Sequence, residues 1–470
     1  MPEIEIRNAK LRRRKNKSAQ DTHLPHLAQA LNAREMKPAL QEFFRGEYPE
    51  RGLQVEAVDL GKVYHKPGKD CEITYGVRCR DGENNIHAVW FQAKMSASLK
   101  ARNDAPRSWP GCGFWKPVHV WPEMGMMLHT FPYDRKLPYL GQLLEPAWIK
   151  QQVEANPGDL GLNAGVKCKH VGIEKIKYMP GKRCVLRYEI LFDDQQRRIF
   201  YGKTYDDAQG GHVFQALQKI CASPACSAKA ELNVPAPIAY LEAANTVWQQ
   251  AWEGEDFNAV MGKIGWANFH RTDFPGKIAT MLAALHGIVI SGVALRRGHA
   301  PQAVLLNACD DASDIAPFAP ERREILNEFM RTLEAAMTLF ESPAPETTIH
   351  GSFKLAQLLC RAQRDLALID FDSIASGDSL YDVAEFVASV AFLQVSDEIP
   401  AARLNESIET FLTSYELQVS WTCERRRLAW YVVAFLLGKI HSSLKRREPA
   451  SVKNLALAFA LVQEWIDKLN

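Results

Sequence analysis

The stretch that decides the fold runs from Thr347 to Phe386: TTIHGSFKLAQLLCRAQRDLALIDFDSIASGDSLYDVAEF. Leu358-Leu359-Cys360 and Leu366-Ala367-Leu368-Ile369 are short apolar runs separated by the polar turn Arg361 to Asp365, which predicts a hairpin. The loop before it carries His350, Gly351, Ser352, Lys354 and Gln357, and the second run exits into Asp370-Phe371-Asp372. Gly377-Asp378 and Asp382 then lead into a helix. Carboxylates at the exit of an apolar strand do little for folding, because burying an unpaired charge is costly. Hard divalent cations take oxygen ligands, and Mg²⁺ is usually held by one or two carboxylates together with substrate phosphates. A phosphoryl-transfer site needs that arrangement.

These residues carry a family resemblance. His350-Gly351-Ser352-x-x-x-x-Gln357, then Ile369-Asp370-Phe371-Asp372, then Gly377-Asp378-Ser379-Leu380-Tyr381-Asp382-Val383-Ala384 is similar to the signature of the aminoglycoside phosphotransferase-like branch of the kinase fold. The spacing matches throughout, with two chemical departures. Ser352 stands where the family has its catalytic Asp, and Gln357 where it usually has a metal-binding Asn. The resemblance implies an α+β, bilobal protein-kinase-like fold, ATP or GTP with Mg²⁺ as cofactors, and a small-molecule hydroxyl acceptor. Asp370 matches the metal-binding Asp, and Gln357 keeps a carbonyl oxygen on a longer arm. Lys354 falls where protein kinases place a lysine near the γ-phosphate, and Asp372 could join a second metal or the acceptor, or stand in as base. Asp378 and Asp382 are expected to brace the loop by accepting backbone hydrogen bonds, and His350 to set its geometry.

Outward from this stretch, the N-terminal half hides a duplication. Leu24-Pro25-His26-Leu27 aligns with Leu137-Pro138-Tyr139-Leu140 at an offset of 113, which also carries Pro67-Gly68-Lys69-x-Cys71 onto Pro180-Gly181-Lys182-x-Cys184 without a gap. Further on, Phe91-Gln92-Ala93-Lys94 resembles Phe200-Tyr201-Gly202-Lys203. Two copies of one β-rich module are therefore expected, at 21–132 and 135–253, each a helix followed by strands around a Pro-Gly-Lys turn. In the kinase-like comparison the second copy is the small lobe. Its turn could lie over phosphates, with backbone N–H groups and Lys182 or Arg183 supplying positive charge. Lys203 matches the lysine that pairs the α- and β-phosphates, and backbone groups of Gln250, Ala251 and Trp252 match the hinge that holds an adenine. The following helix, Gly211 to Cys221, offers Lys203 no Glu, leaving Gln215 as a hydrogen-bond partner. The first copy has 23 residues from Lys94 to Pro117 against 34 from Lys203 to Pro237, as if it had lost that helix. It reads as a partial duplicate of the small lobe, a structural or partner-binding relic.

From 254 to 470 the chain reads as a helical lobe. Ile278, Met281, Leu282, Leu285 and Ile288 mark one helical face, and Glu321 to Glu341 another amphipathic helix. Four helical segments follow Asp382, near 382–394, 402–418, 425–444 and 449–469.

Bulk properties narrow the classes. The chain has 470 residues, is 47% hydrophobic and 24% charged, and carries a formal net charge of +2, so no global field points to nucleic acid. Ten cysteines include no Cys-x-x-Cys pair, and Cys221 with Cys226 lacks a second pair for zinc. No apolar run reaches membrane-spanning length, which makes a reducing cytoplasm the default. Residues 1–20, with the basic run Lys10 to Lys17, read as a disordered tail. Residues 401–470 hold ten Lys/Arg against seven Asp/Glu, which speaks against a polycationic acceptor. Two readings stay open: a phosphotransferase slowed by Ser352, and a catalytically inactive kinase-like nucleotide-binding or scaffold protein that recruits a partner through its extra module.

Overall fold

Alternation of apolar and polar side chains builds the first half of the molecule: Cys71, Ile73, Tyr75, Val77 and Cys79 are all buried on one face of their strand, as are Cys184, Leu186, Tyr188, Ile190 and Phe192 on another. The computed structural model describes residues 21–96, 106–162, 165–226, 231–290, 299–342, 344–361 and 365–469. The first module is α1 (Ala33–Glu47) over an antiparallel sheet of β1 (Gln54–Lys66), β2 (Asp70–Arg80), β3 (Ile86–Ser96), β4 (Val118–Trp121) and β5 (Met126–Thr130), ordered β1-β2-β3-β5-β4. The second is α2 (Pro146–Ala155) and a sheet of β6 (Cys168–Met179), β7 (Arg183–Phe192), β8 (Arg197–Tyr205), β9 (Pro237–Leu241) and β10 (Thr246–Gln250), with α3 (Gln209–Cys221) between β8 and β9. Its order, β6-β7-β8-β10-β9, is the same path.

The offset of the sequence alignment is also the offset of the contacts. Tyr75 donates to the carbonyl of Ala30 and Tyr188 to that of Leu143, both from inside the core. Val55 N–H donates to Gln41 and Cys168 N–H to Glu154, tying each first strand to its helix. Each Pro-Gly-Lys turn is pinned by a carboxylate from the segment ahead of the module. Asp21 accepts from Gly68 N–H (3.0 Å) and His65, and Asp134 from Gly181 N–H (2.7 Å) and the Tyr178 hydroxyl (2.9 Å). Gly68 and Gly181 both have positive φ, +71° and +64°, which a side chain resists. Asp134→Ala removes three accepted hydrogen bonds, counting Lys136 N–H. We expect a loss of about 2–3 kcal/mol in urea denaturation, since charge-assisted bonds at a buried site exceed the usual ~1 kcal/mol. A loss below about 0.5 kcal/mol would show that the turn holds itself.

The helical lobe contains α4 (Phe257–Ile264), α5 (Phe274–His286), α6 (Pro301–Ile315) and α7 (Arg323–Ala335). The central stretch follows as β11 (Glu346–Ile349), β12 (Leu358–Cys360), β13 (Leu366–Leu368) and β14 (Ala375–Asp378), leading to α8 (Leu380–Ala391), α9 (Ala401–Glu416), α10 (Arg425–Lys445) and α11 (Leu455–Leu469). One continuous apolar core runs from α3 through α5 to α11 and takes in Tyr205 and Val247 of the second sheet, so that sheet and the helical lobe pack together in an α+β fold. Leu428 to Leu437 is a buried core helix within α10, and no helix among the described residues is long and apolar enough to cross a membrane. The helix expected over Glu321 to Glu341 is shorter, tightening into 3₁₀ turns at Ala336–Phe340. The basic run at 10–17 lies outside the described residues, as does 97–105, where the first copy would show whether its helix is lost.

The first module packs on the helical lobe through β1 and its turn. Lys69 lies 3.9 Å from Asp314 on α6, and the rings of His65 and Phe318 meet edge to face.

Candidate active site

The antiparallel pair β11–β14 delivers His350 and Gly351 to the start of α8. Asp382, fully buried, accepts from the backbone N–H of His350 (2.6 Å) and Gly351 (2.9 Å). It also accepts from His286 Nε2 (3.2 Å), whose Nδ1 is 2.7 Å from the Tyr415 hydroxyl. A carboxylate at Nε2 fixes that tautomer and leaves Nδ1 to accept from the tyrosine. His350 Nε2–H donates to the Ile369 carbonyl, closing the loop onto the hairpin. Gly351 is obligatory: its φ is +74°, and a Cβ there would overlap the carbonyl oxygen of Ser373 and the ring of His299. Asp378 caps α8 through Leu380 N–H and pairs with Arg427 (2.9 Å). Burial raises the Asp378 carboxyl, with Arg427 opposing. His350, Asp378 and Asp382 thus shape the loop, as expected from the sequence.

Asp370 ends the hairpin in the left-handed region, φ +71°, a conformation that Asp tolerates better than most residues and that concentrates at functional sites. The turn aims Asp370 and Asp372 across the interlobe cleft at β7 and β8. Lys203 is bonded to Asp370 and lies 2.7 Å from Asp372, and Arg183 is bonded to Asp372 and lies 3.9 Å from Asp370. Tyr205 donates to Asp372 at 2.9 Å. Register explains the convergence: Lys203 pairs with Val185 and Arg183 with Tyr205, so alternate residues of adjacent strands share one face. Burial opposes ionisation of Asp370, but Lys203 above all, then Arg183 and Lys177, hold its carboxyl well below the usual range. Gln215, expected to hydrogen-bond Lys203, is exposed on α3, and the partners of the lysine are the two carboxylates. In the first copy Asp70 stands where the second has Arg183, and Lys94 lies 3.9 Å from both Asp70 and Glu72 of its own sheet.

A cavity of about 770 Å³ opens from this cluster into the helical lobe. Ser352, Lys354, Gln357, Asp370 and Asp372 all line it, so five of the sequence-selected residues share one space. Lys354 Nζ donates to Ser352 Oγ at 3.0 Å and lies 3.8 Å from Glu385 on α8. Other predicted residues lie elsewhere. Lys182 is exposed at the turn tip, while its neighbour Arg183 lines the cavity. The turn's backbone does not form a phosphate cradle, a correction to the sequence reading: Gly181 N–H is taken by Asp134 and Lys182 N–H by the Met179 carbonyl. Gln250 N–H donates to Ala236 and Ala251 N–H to Ile199, and Trp252 stacks under the Arg361 guanidinium at 4.2 Å, away from the lining of the large cavity. Tyr205, Glu385 and Lys439 were not found from the sequence. Tyr205 sits two residues from Lys203 on the same strand face and Glu385 three from Asp382 on one helix, but spacing alone did not mark either.

No family model and no curated protein matches the chain. Among solved structures, it is similar to choline kinase from Cryptosporidium parvum Iowa II, at 14% identity over 68% of this chain and 95% of that one, TM-score 0.45. A thermostable mutant of aminoglycoside phosphotransferase APH(4)-Ia shares 13% identity over 68% and 98%, TM-score 0.42. LicA in complex with AMP shares 15% identity over 68% and 98%, TM-score 0.41.

Proposed function

We propose that the interlobe cleft binds a nucleoside triphosphate with a divalent cation and transfers its terminal phosphoryl group to a hydroxyl of a small molecule in the adjoining cavity. The observation that carries this reading is the pairing of Lys203 and Arg183 with Asp370 and Asp372, the two carboxylates lining, with Arg183, Ser352 and Lys354, a cavity of about 770 Å³. Two carboxylates ringed by cations, opening on space, form a charge-exchange site: anionic phosphates can take over the cations while a metal takes the carboxylates. Asp370 and Gln357, both on the cavity wall, would hold Mg²⁺. Among the described residues no group of three or more His, Cys, Asp or Glu could hold a metal alone, so phosphate oxygens must complete the shell, as is usual for Mg²⁺. The cation would supply charge neutralisation on the phosphates.

Lys203 would then neutralise phosphate oxygens, with Lys182 at the rim and the backbone of Gln250 to Trp252 beside the base of ATP or GTP. Lys354 would stabilise charge on the transferred group. Asp372, engaged by Lys203, Tyr205 and Arg183, serves to orient cations rather than to receive a proton. Without a carboxylate at Ser352 the rate forgoes up to about 10²–10⁴-fold, yet positioning and charge supply most phosphoryl-transfer catalysis. The direct pairing of Lys203 with Asp370 favours a second reading, a nucleotide-binding protein that does not turn over.

Thermal shift on the whole chain separates these from no site at all. A rise in melting temperature with ATP or GTP that requires Mg²⁺ is expected, because a ligand of the native state stabilises it. No rise with either nucleotide overturns both readings.

A further inference from the structure

Among the cavity's carboxylates, one is spare. Asp370 and Asp372 hold Lys203 and Arg183. Asp311 is 2.5 Å from His441 Nδ1, Asp397 accepts from Ser396 at 2.7 Å, and Glu448 lies 3.3 Å from Arg446. Glu385 is different. It projects from α8 into the same cavity as Ser352, with Oε1 3.8 Å from Lys354 Nζ, beyond hydrogen-bond reach, and Oε2 buried without a hydrogen-bond partner among the described residues. Its side chain is 13% exposed. A buried carboxylate oxygen left unbonded is costly and calls for an explanation.

We infer that Glu385 takes the proton of the acceptor hydroxyl, as the base that position 352 lacks; this rests on the phosphotransfer proposed above. Lys354 links the two positions, donating to Ser352 while facing Glu385. The charged and titratable groups around the carboxylate are Lys354 from the loop, Lys439 from α10 and Tyr381 from its own helix. Lys439 donates to Ser389 at 2.8 Å, and burial pushes its ammonium down to about 8, with the charge of Glu385 opposing. An incoming hydroxyl supplies the hydrogen bond that Glu385 Oε2 lacks. In the step, the acceptor O–H proton passes to Glu385 as the acceptor oxygen bonds to phosphorus. The bond from phosphorus to the bridging oxygen breaks, and the nucleoside diphosphate leaves.

The test measures nucleoside diphosphate formation by the full chain from ATP or GTP with Mg²⁺, water serving as acceptor where no other is supplied. Glu385→Gln is expected to lower the rate about 10²–10³-fold, to flatten its rise with pH, and to keep the Mg²⁺-nucleotide thermal shift. Ser352→Asp in the Glu385→Gln background restores the rate to within about tenfold of wild type, which loss of a merely structural side chain would not allow. Ser352→Asp alone gains less than about tenfold, because a base is already present; this arm reads out even if Glu385→Gln fails to fold. A Glu385→Gln rate within about threefold of wild type, or a Ser352→Asp gain of 10²-fold or more, overturns the assignment. Wild type that binds nucleotide but forms no diphosphate overturns Glu385 as base and leaves the nucleotide site standing. Wild type with no nucleotide shift removes the site itself.

Discussion

Asp382→Ala is expected to cost about 3–5 kcal/mol of folding stability, the range for removing one partner of a buried charged network. Asp382 has no solvent exposure and accepts hydrogen bonds from the N–H groups of both His350 and Gly351. Alanine strands both donors, together with His286 Nε2, in a core that water does not reach. The positive φ of Gly351, which a side chain resists, compounds the effect. Urea denaturation measures the loss. Asp382→Asn keeps one amide oxygen as acceptor and should lose roughly half as much. Because the same loop carries Ser352 and Lys354, Asp382→Ala protein that still folds should lose its Mg²⁺-dependent nucleotide response. A cost below about 1 kcal/mol would mean that the loop is held by packing of His350 against Phe371 rather than by the carboxylate.

Asp370→Ala is expected to abolish the Mg²⁺-dependent part of the nucleotide thermal shift, which at a hundredfold excess of ligand over Kd is worth about 2.7 kcal/mol in wild type. It also leaves Lys203 and Arg183 with Asp372 as their carboxylate and removes the charge that Asp370 sets against Lys177, so the ligand-free variant should be less stable than wild type at neutral pH. The pH signature is distinct. The folded Asp370 carboxyl is depressed below its unfolded value, so its contribution is present above about pH 4 and is lost as pH falls through the folded value. Wild type should therefore lose stability on acidification below about pH 4 more steeply than Asp370→Ala. An Asp370→Ala protein that keeps the full Mg²⁺-dependent rise would remove Asp370 from the metal site, whatever its role in the ion pairs.

Much of the architecture is written locally. The hairpin Leu358–Cys360 and Leu366–Leu368 lies where the two apolar runs place it, one residue shorter because Ile369 N–H turns to the Gln357 carbonyl ahead of the left-handed Asp370. The repeat at offset 113 was readable because each module pairs strands that are neighbours in sequence, so the same residues recur at the same contacts, down to Tyr75 with Ala30 and Tyr188 with Leu143. The bracing roles of Asp378 and Asp382, expected from the sequence, take different forms: Asp378 accepts from the helix-start N–H of Leu380, whereas Asp382 reaches back to the loop N–H groups of His350 and Gly351. The loop, the acidic pair and the strand lysine were named from the spacing of residues that carries the family resemblance.

What the sequence could not supply is which polar group each of these meets. Lys203 and Asp370 are 167 residues apart, and their bond depends on how the second sheet packs on the helical lobe. The exposure of Gln215 was invisible because helical spacing gives faces but not which face turns toward the cleft. Likewise a Pro-Gly-Lys turn has the same local geometry whether its N–H groups meet a phosphate or, as at Gly181, the carboxylate of Asp134 47 residues earlier. Glu385 is one more acid on an amphipathic helix until the loop, α8 and α10 surround it. Local order is set by short-range backbone preferences and apolar alternation; pairing of charges across a cleft is set by long-range packing, and only the tertiary structure decides it.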